Sequence, residues 1–319
     1  MRRPFRFGLH FWELPTDGWR ERVERYEQLG FSTITFTDHV VVPQWEPLTA
    51  LAAISAVTER IGLGTLVLDV ALRNPVVTAK AAATVERISG GRLELGLGAG
   101  YVKANFAAAG VPFDRGIDRV ARVEEAVTLM RRLWTEPSTT MHGRFYRVTD
   151  SPMVSPEAIE PRILLGGGGR AMMHLAGRVA DTVSMIPRQT TGAWSVADSV
   201  PDSTMTAMSE KAAWVRSGAA EVGRDPDAIE LNTMVAKTII GDRPGAAVAR
   251  EAADAGLTVA ELSDSTLYLC GTSGDVCQRL DQWREEAGIS YVSLFDPGEE
   301  QINYLAERVL PELVGPARA

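Results

Sequence analysis

Two short stretches of this chain hold residue types able to do chemistry. In the first, Asp38 and His39 follow the apolar run Thr33-Ile-Thr-Phe-Thr37. Free imidazole titrates at about 6.5, so His39 can give or take a proton near neutrality. If a strand continues through the pair, the two side chains point to opposite faces, one lining a cavity while the other braces a loop. The plainer alternative is a loop-anchoring Asp38 beside a structurally hydrogen-bonded His39. In the second stretch, Leu165-Gly166-Gly167-Gly168-Gly169-Arg170 lets backbone amides approach a ligand without side-chain obstruction. A helix starting near Arg170 adds unpaired N–H groups and a positive dipole end, and Arg170 adds a charge. The stretch reads either as a phosphate site or as a flexible strand-to-helix connection. It is not a P-loop, because no Gly-Lys-Ser/Thr follows.

Other candidates are apolar or neutral. Gly98 and Gly100, in Gly96-Leu-Gly-Ala-Gly100, make room for a flat ligand or for close helix packing. Tyr101 supplies a ring and a hydroxyl beside them, and Asn105 is polar but cannot serve as a carboxylate base. Leu66 and Val67 form an apolar shelf on which a planar group can rest, or are ordinary core. Trp12 and His10 end the first apolar run, and Met185 ends a later one. His142 belongs to a small hairpin pattern, and His174 falls inside a helix. Cys270 and Cys277 lack an adjacent base or a Cys-x-x-Cys spacing, which favours structural thiols. No His-Glu-x-x-His, no further metal-ligand cluster and no Gly-x-Ser-x-Gly elbow occurs, so metal hydrolysis and serine acyl transfer are not expected.

The elements that must position these residues alternate in type. Strand patterns at 5–11, 33–37, 61–68, 92–98, 163–165, 182–186, 229–240 and 289–295 are separated by helical patterns, with a closing helix at 299–314. That alternation predicts a single (β/α)8 TIM barrel over 1–319, with active-site residues at the carboxyl ends of the strands. A doubly wound sheet would need Gly-x-Gly-x-x-Gly directly after the first strand, where His10-Phe-Trp-Glu13 stands instead. A polar, Ser/Thr-rich stretch at 187–206 is expected to be a mobile loop over the mouth. In the closing helix Ile302, Leu305, Val309 and Leu313 form a stripe expected to cover the barrel rather than meet a second subunit.

Composition agrees with this picture. The 319 residues are 45% hydrophobic and 23% charged, with 33 Lys+Arg against 41 Asp+Glu and a formal charge of −8. Division by about 150 residues suggests two domains, but one α/β barrel takes about 250. The acidic balance excludes broad nucleic-acid binding. No apolar run is long enough to span a membrane. Two cysteines in such a length suggest a reducing compartment, so a cytoplasmic location is expected.

Several longer segments are diagnostic together. They are Phe7-Gly-Leu-His10, Gly30-Phe-Ser-Thr-Ile-Thr-Phe-Thr-Asp-His39, Ile61-Gly-Leu-Gly-Thr-Leu-Val-Leu68, Asn74-Pro-Val and Glu86-Arg-Ile-Ser-Gly-Gly-Arg-Leu-Glu-Leu-Gly-Leu-Gly-Ala-Gly100. Leu164-Leu-Gly-Gly-Gly-Gly-Arg and Gly271-Thr-Ser-Gly-Asp-Val complete the set. Over residues 5–296 the chain resembles the luciferase-like flavin and deazaflavin oxidoreductases, and most of all the branch that uses coenzyme F420. The resemblance implies a bulge after the third strand, often with a non-proline cis peptide, at Leu66-Val67 beneath the cofactor ring. It implies His39 near the reacting carbon and the substrate, while Asp38 stands as a catalytic candidate from its position beside His39 alone. It implies Gly167 and Gly168 on the cofactor phosphate and His10 and Trp12 on the ring side, and the reading of the residues themselves adds Gly166, Gly169, Arg170, Gly98 and Gly100 to the cofactor candidates. Tyr101, Asn105 and Met185 are left for the substrate pocket.

The implied activity is hydride transfer between coenzyme F420 and a small organic substrate with a C=C, C=N or carbonyl/alcohol group, His39 or a water beside it handling the proton. Reduced FMN with dioxygen is the alternative cofactor chemistry. Two departures stand out. Relatives in this branch commonly have Glu where this chain has Asn105, which leaves a non-catalytic binding or partner subunit open. A sugar-phosphate dehydrogenase of the superfamily has an acid where this chain has Tyr101, which argues against that substrate. A homodimer is also implied by the resemblance.

Overall fold

The computed structural model describes residues 3–155, 160–189, 192 and 195–314. Its strands begin with β1 (Arg6–Phe11), β2 (Thr33–Phe36), β3 (Gly62–Thr65), β4 (Leu68–Asp69) and β5 (Leu93–Gly98). An antiparallel hairpin, β6 (Ser138–His142) and β7 (Arg147–Pro152), carries His142 away from the barrel. The sheet resumes with β8 (Arg162–Gly167), β9 (Thr182–Met185) and β10 (Glu230–Val235). After β11 (Lys237–Ile240) and β12 (Tyr268–Gly271) it ends with β13 (Ile289–Phe295). Parallel pairing runs β1-β2-β3-β5-β8-β9-β10-β13 and returns to β1, and β4 continues β3 along β5. The circle is a closed eight-strand TIM barrel, the architecture expected from the sequence.

Helices cover the outside. They include α1 (Trp19–Gln28), α2 (Pro47–Ser55), α3 (Pro75–Ser89), α4 (Lys103–Ala108), α5 (Gly116–Thr135), α6 (Arg170–Val179), α7 (Val196–Ser199) and α8 (Met205–Glu221). The remainder are α9 (Gly245–Asp254), α10 (Val259–Asp264), α11 (Ser273–Ala287), α12 (Glu299–Arg308) and α13 (Leu310–Leu313). Local chemistry sets their ends. The Asn74 side chain accepts from the N–H groups of Val76 and Val77, Pro75 occupies the first turn, and Gly90 ends α3 in the left-handed region. Among the described residues no helix is long and apolar enough to cross a membrane.

Strand alternation sorts the side chains into two layers. Phe7, Leu9 and Phe11, with Ile34, Leu95, Leu165 and Val183, belong to the main apolar core shared with the helices. The intervening residues face inward and are mostly polar or glycine, with Leu164 an apolar exception. Near the amino-terminal end Arg6 lies over the Tyr291 ring at 4.2 Å and pairs with Glu230 and Glu94. Thr33 and Tyr291 share a hydrogen bond of 2.6 Å, and Thr182 donates to Glu94 at 2.6 Å. Ile302, Leu305 and Val309 are buried and Leu313 packs on the same core, so the terminal stripe covers the barrel.

Two segments differ from the sequence-based expectation. The run 229–240 is not one strand. At Ala236 the chain leaves the barrel, because the N–H groups of Ala236 and Lys237 both donate to the Leu267 carbonyl. β11 then pairs with β12 in a separate two-stranded sheet over a small core that includes Leu262, Tyr268 and Cys270. The stretch 187–206 holds α7, a 3-10 turn at Val200–Asp202 and the start of α8. The buried Lys211 ammonium binds Asp202 at 3.0 Å and so ties that turn to α8. Residues 190, 191, 193 and 194 of the expected loop lie outside the described residues.

The seat of α6 depends on two glycines. A Cβ on Gly177 would stand 2.0 Å from the Val215 carbonyl oxygen, and one on Gly218 would stand 2.0 Å from that of His174. Both obstacles are backbone and cannot swing aside. Gly177→Ala is expected to destabilise the protein by about 3 kcal/mol, at the upper end of overpacking costs. Urea unfolding would show this as a lower midpoint at unchanged slope.

Candidate active site

The third strand position is interrupted between β3 and β4, and the Leu66–Val67 peptide there is cis. Neighbouring glycines receive the interruption. A Cβ on Gly96 would lie 1.8 Å from the Thr65 carbonyl oxygen, one on Gly98 2.5 Å from Val67 Cγ2, and one on Gly166 2.9 Å from Val67 Cγ1. Gly98 and Gly166 therefore make room for Val67. Leu66, Val67, Leu164 and Tyr291 form a small apolar cluster inside the otherwise polar barrel. Gly100 has φ +68, and a Cβ there would meet the Asp69 carboxylate at 1.9 Å.

The end of β2 is held from that same interruption. Asp69 N–H donates to Asp38 Oδ2 at 3.1 Å. Arg73 clamps the same carboxylate in a fork, Nη2 to Oδ1 at 2.7 Å and Nε to Oδ2 at 2.8 Å. Sequence placed Asp38 among the catalytic candidates. The structure corrects this, because both carboxylate oxygens are taken and the residue braces the loop. Its neighbour His39 turns the other way, half-buried, with the Trp12 ring at 5.3 Å and the Tyr101 ring edge-on at 6.1 Å. The Asn105 amide nitrogen lies 2.8 Å from His39 Nδ1. Burial holds the His39 pKa below its ordinary value, with Asp38 acting against it.

His10 lies inside the barrel, 1% exposed, its Nδ1 2.9 Å from Thr35 Oγ1 and its ring 5.4 Å from that of Phe295. Burial pushes its pKa down to about 3, so it is a neutral wall and not a proton carrier at working pH. Asn105 is 3% exposed and sits behind His39 instead of lining a substrate pocket. Met185 is fully buried in the outer core, because the alternation that turns Ser184 inward sends Met185 outward. These two placements also correct the sequence reading.

The glycine-rich turn follows β8. Ile186 N–H donates to the Gly167 carbonyl at 2.9 Å. A Cβ on Gly168 would strike the Ile186 carbonyl oxygen at 2.2 Å, so the turn lies tight against the chain after β9. Gly169 caps α6 with no side-chain acceptor, and a Cβ built on it meets nothing within 4 Å. Open space therefore stands beside a helix amino terminus, and Arg170 next to it is exposed. His174 instead pairs with Glu221 at 3.1 Å on the outer surface, and both cysteines are free thiols. Arg73, Thr35 and Phe295 were not singled out from the sequence. Arg73 precedes the Asn74-Pro75 helix start, but nothing local links it to a carboxylate 35 residues away.

A family model described as luciferase-like monooxygenase matches residues 14–287. An F420-dependent glucose-6-phosphate dehydrogenase of Intrasporangium calvum is 38% identical over 178 residues, 51% of this chain and 53% of that protein. An FMNH(2)-dependent dimethylsulfone monooxygenase of Pseudomonas putida is 31% identical over 170 residues, 51% of this chain and 46% of that one. The chain thus spans about half the length of the curated relatives it matches. An F420-dependent secondary alcohol dehydrogenase, solved with an F420–acetone adduct, superposes with a TM-score of 0.78 at 18% identity, covering 97% of this chain and 98% of that one. It shares the fold.

One carboxylate at the interruption is out of its usual range. Burial pushes the Asp69 pKa up to about 6 and Asp38 adds to this, while the Ala71 N–H, Arg119 and Arg122 pull it down. A raised folded-state pKa means stability that is full below about pH 4 and is lost as pH rises through about 6. The shift of about 2 units corresponds to about 3 kcal/mol. Asp69→Asn is expected to remove that loss, so that the variant gains on the parent protein between pH 4 and pH 7. Chemical denaturation at the two pH values would measure the difference, and an equal gap at both would refute the assignment.

Proposed function

Because the chain belongs to the luciferase-like monooxygenase family, we propose that it transfers hydride between coenzyme F420 and a small organic substrate with a polarised C=C, C=N or C=O group. The observation that carries this reading is the apolar wall of Leu66, Val67 and Leu164 in a barrel whose interior is otherwise polar. A flat heterocycle needs one apolar face to lie on, and a nearby anion site to hold its tail. The open, uncapped start of α6 at Gly169 fits the second need. The 38% identity to an F420-dependent enzyme over half the chain supports the deazaflavin in preference to FMN.

In this reading Gly167, Gly168 and Gly169 hold the phosphate through backbone amides, and Arg170 adds a positive charge. Leu66 and Val67 support the ring. When bound, coenzyme F420 supplies the two-electron carrier, and the protein supplies orientation and proton management. Trp12 and Tyr101 flank His39, lower the local water content and direct its imidazole toward the reacting atoms. Tyr101, where a sugar-phosphate dehydrogenase of the superfamily carries an acid, points to an acceptor other than a sugar phosphate. The enzyme works as a homodimer, as the resemblance implies, and in the cytoplasm, where the free thiols Cys270 and Cys277 remain reduced.

Fluorescence titration with coenzyme F420 and with FMN tests the cofactor. Saturable binding of F420, weakened at least about tenfold by Gly168→Val, is the expected result. Binding of FMN alone would replace this reading with the monooxygenase one. His39→Ala is expected to keep F420 affinity within a few-fold while lowering turnover about 100-fold, the smaller end of the loss on removing one donor to a developing charge. Undiminished turnover would remove His39 from the chemistry.

A further inference from the structure

The amide of Asn105 has one possible orientation. The N–H groups of Val40 and Val41 both point at the same terminal atom, at 3.1 and 3.2 Å. An N–H can be met only by an acceptor, so that atom is Oδ1 and the other is the NH2 group. Turning the amide over would set NH2 against two backbone donors, at a site only 3% exposed. The NH2 group stands 2.8 Å from His39 Nδ1. That nitrogen must therefore accept, and the hydrogen of the neutral ring sits on Nε2, at the edge Asn105 does not engage.

Protonating His39 would put a second hydrogen on Nδ1, directly opposite the Asn105 NH2 group. The other groups around the ring do little to offset this. Asp38, on the same strand end, has its charge compensated by Arg73. His10 from β1 is neutral and offers no compensating charge, and Trp12 and the neutral Tyr101 complete the surround.

We propose that Asn105 is a positioning residue that holds His39 as a neutral Nε2–H hydrogen-bond donor, and so sets the site to polarise an acceptor atom, a carbonyl oxygen or an imine nitrogen. On hydride addition to the substrate carbon, the C=O or C=N π pair moves to the heteroatom, where Nε2–H stabilises the developing charge. Solvent water then supplies the proton, and the carrier is left oxidised. The role toward a substrate rests on the hydride-transfer reading above; the tautomer does not.

Long-range 1H–15N correlation spectra of the full-length, 15N-histidine-labelled protein without cofactor test this directly. The His39 signals are assigned by their loss in His39→Gln. The expected spectrum has a bare Nδ1 and a protonated Nε2. Asn105→Asp keeps an acceptor for Val40 and Val41 and puts a second acceptor against Nδ1. It should switch the ring to Nδ1–H and raise its titration midpoint by at least about one pH unit. A wild-type ring protonated at Nδ1, or a tautomer unchanged in Asn105→Asp, would overturn the proposal. If that variant does not fold, the wild-type spectrum decides alone. Loss of F420 binding would sink the cofactor reading while leaving the tautomer result intact, so the two failures are separable.

Discussion

The site depends on a steric constraint, the lack of side chains on Gly96, Gly98 and Gly166 where the third strand position breaks. Backbone and a valine occupy the volume that three Cβ atoms would fill. With that space available, Val67 beds against β5 and β8, and Leu66 and Leu164 complete an apolar wall. The interruption also aims the Asp69 N–H at Asp38. Asp38, gripped by that N–H and by Arg73, fixes the end of β2, from which His39 projects the other way. Packing at the strand break is thus transmitted to the orientation of the imidazole through two charge-assisted contacts.

The barrel distributes its polarity in an unusual way for a core. Apolar side chains fill the layer between strands and helices, while the interior holds Arg6, Glu94, Glu230 and hydroxyl groups paired with one another. Buried charges persist only when paired. The amino-terminal end is closed by such a network, and the carboxyl-terminal end sets neutral groups, the uncharged His10, Trp12, Tyr101 and the glycine turn, beside the Asp38–Arg73 pair. A chain with net charge −8 can still offer an anion a place at α6, because the attraction there comes from oriented amides and not from the overall balance.

His10 and His39 show how one residue type takes two characters within one mouth. His10 faces Thr35 and Phe295, fully enclosed, and serves as packing. His39 is half-buried and sets one edge on Asn105. Neither the residue nor its strand position distinguishes them, since both end apolar runs. Enclosure by neighbouring strands and the choice of hydrogen-bond partner do.

Local pattern was enough for the barrel. Strand runs, helix caps such as Asn74-Pro75 and the glycine turn before α6 depend on residues a few positions apart, and so they are legible along the chain. The division of 229–240 was not, because the partner that draws β11 away is Leu267, about 30 residues on. The site follows the same rule. The chemistry of His39 and of Gly166 through Gly169 could be named from type and position. That Asp38 is spent on Arg73, that Met185 faces outward and that Asn105 sets the state of His39 came only with the fold. Asn105 reaches His39 across 66 positions and Val41 across 64, and those distances close only when β2 and the segment after β5 lie side by side. Hydrogen-bond direction is a property of pairs, and the sequence by itself names only the members.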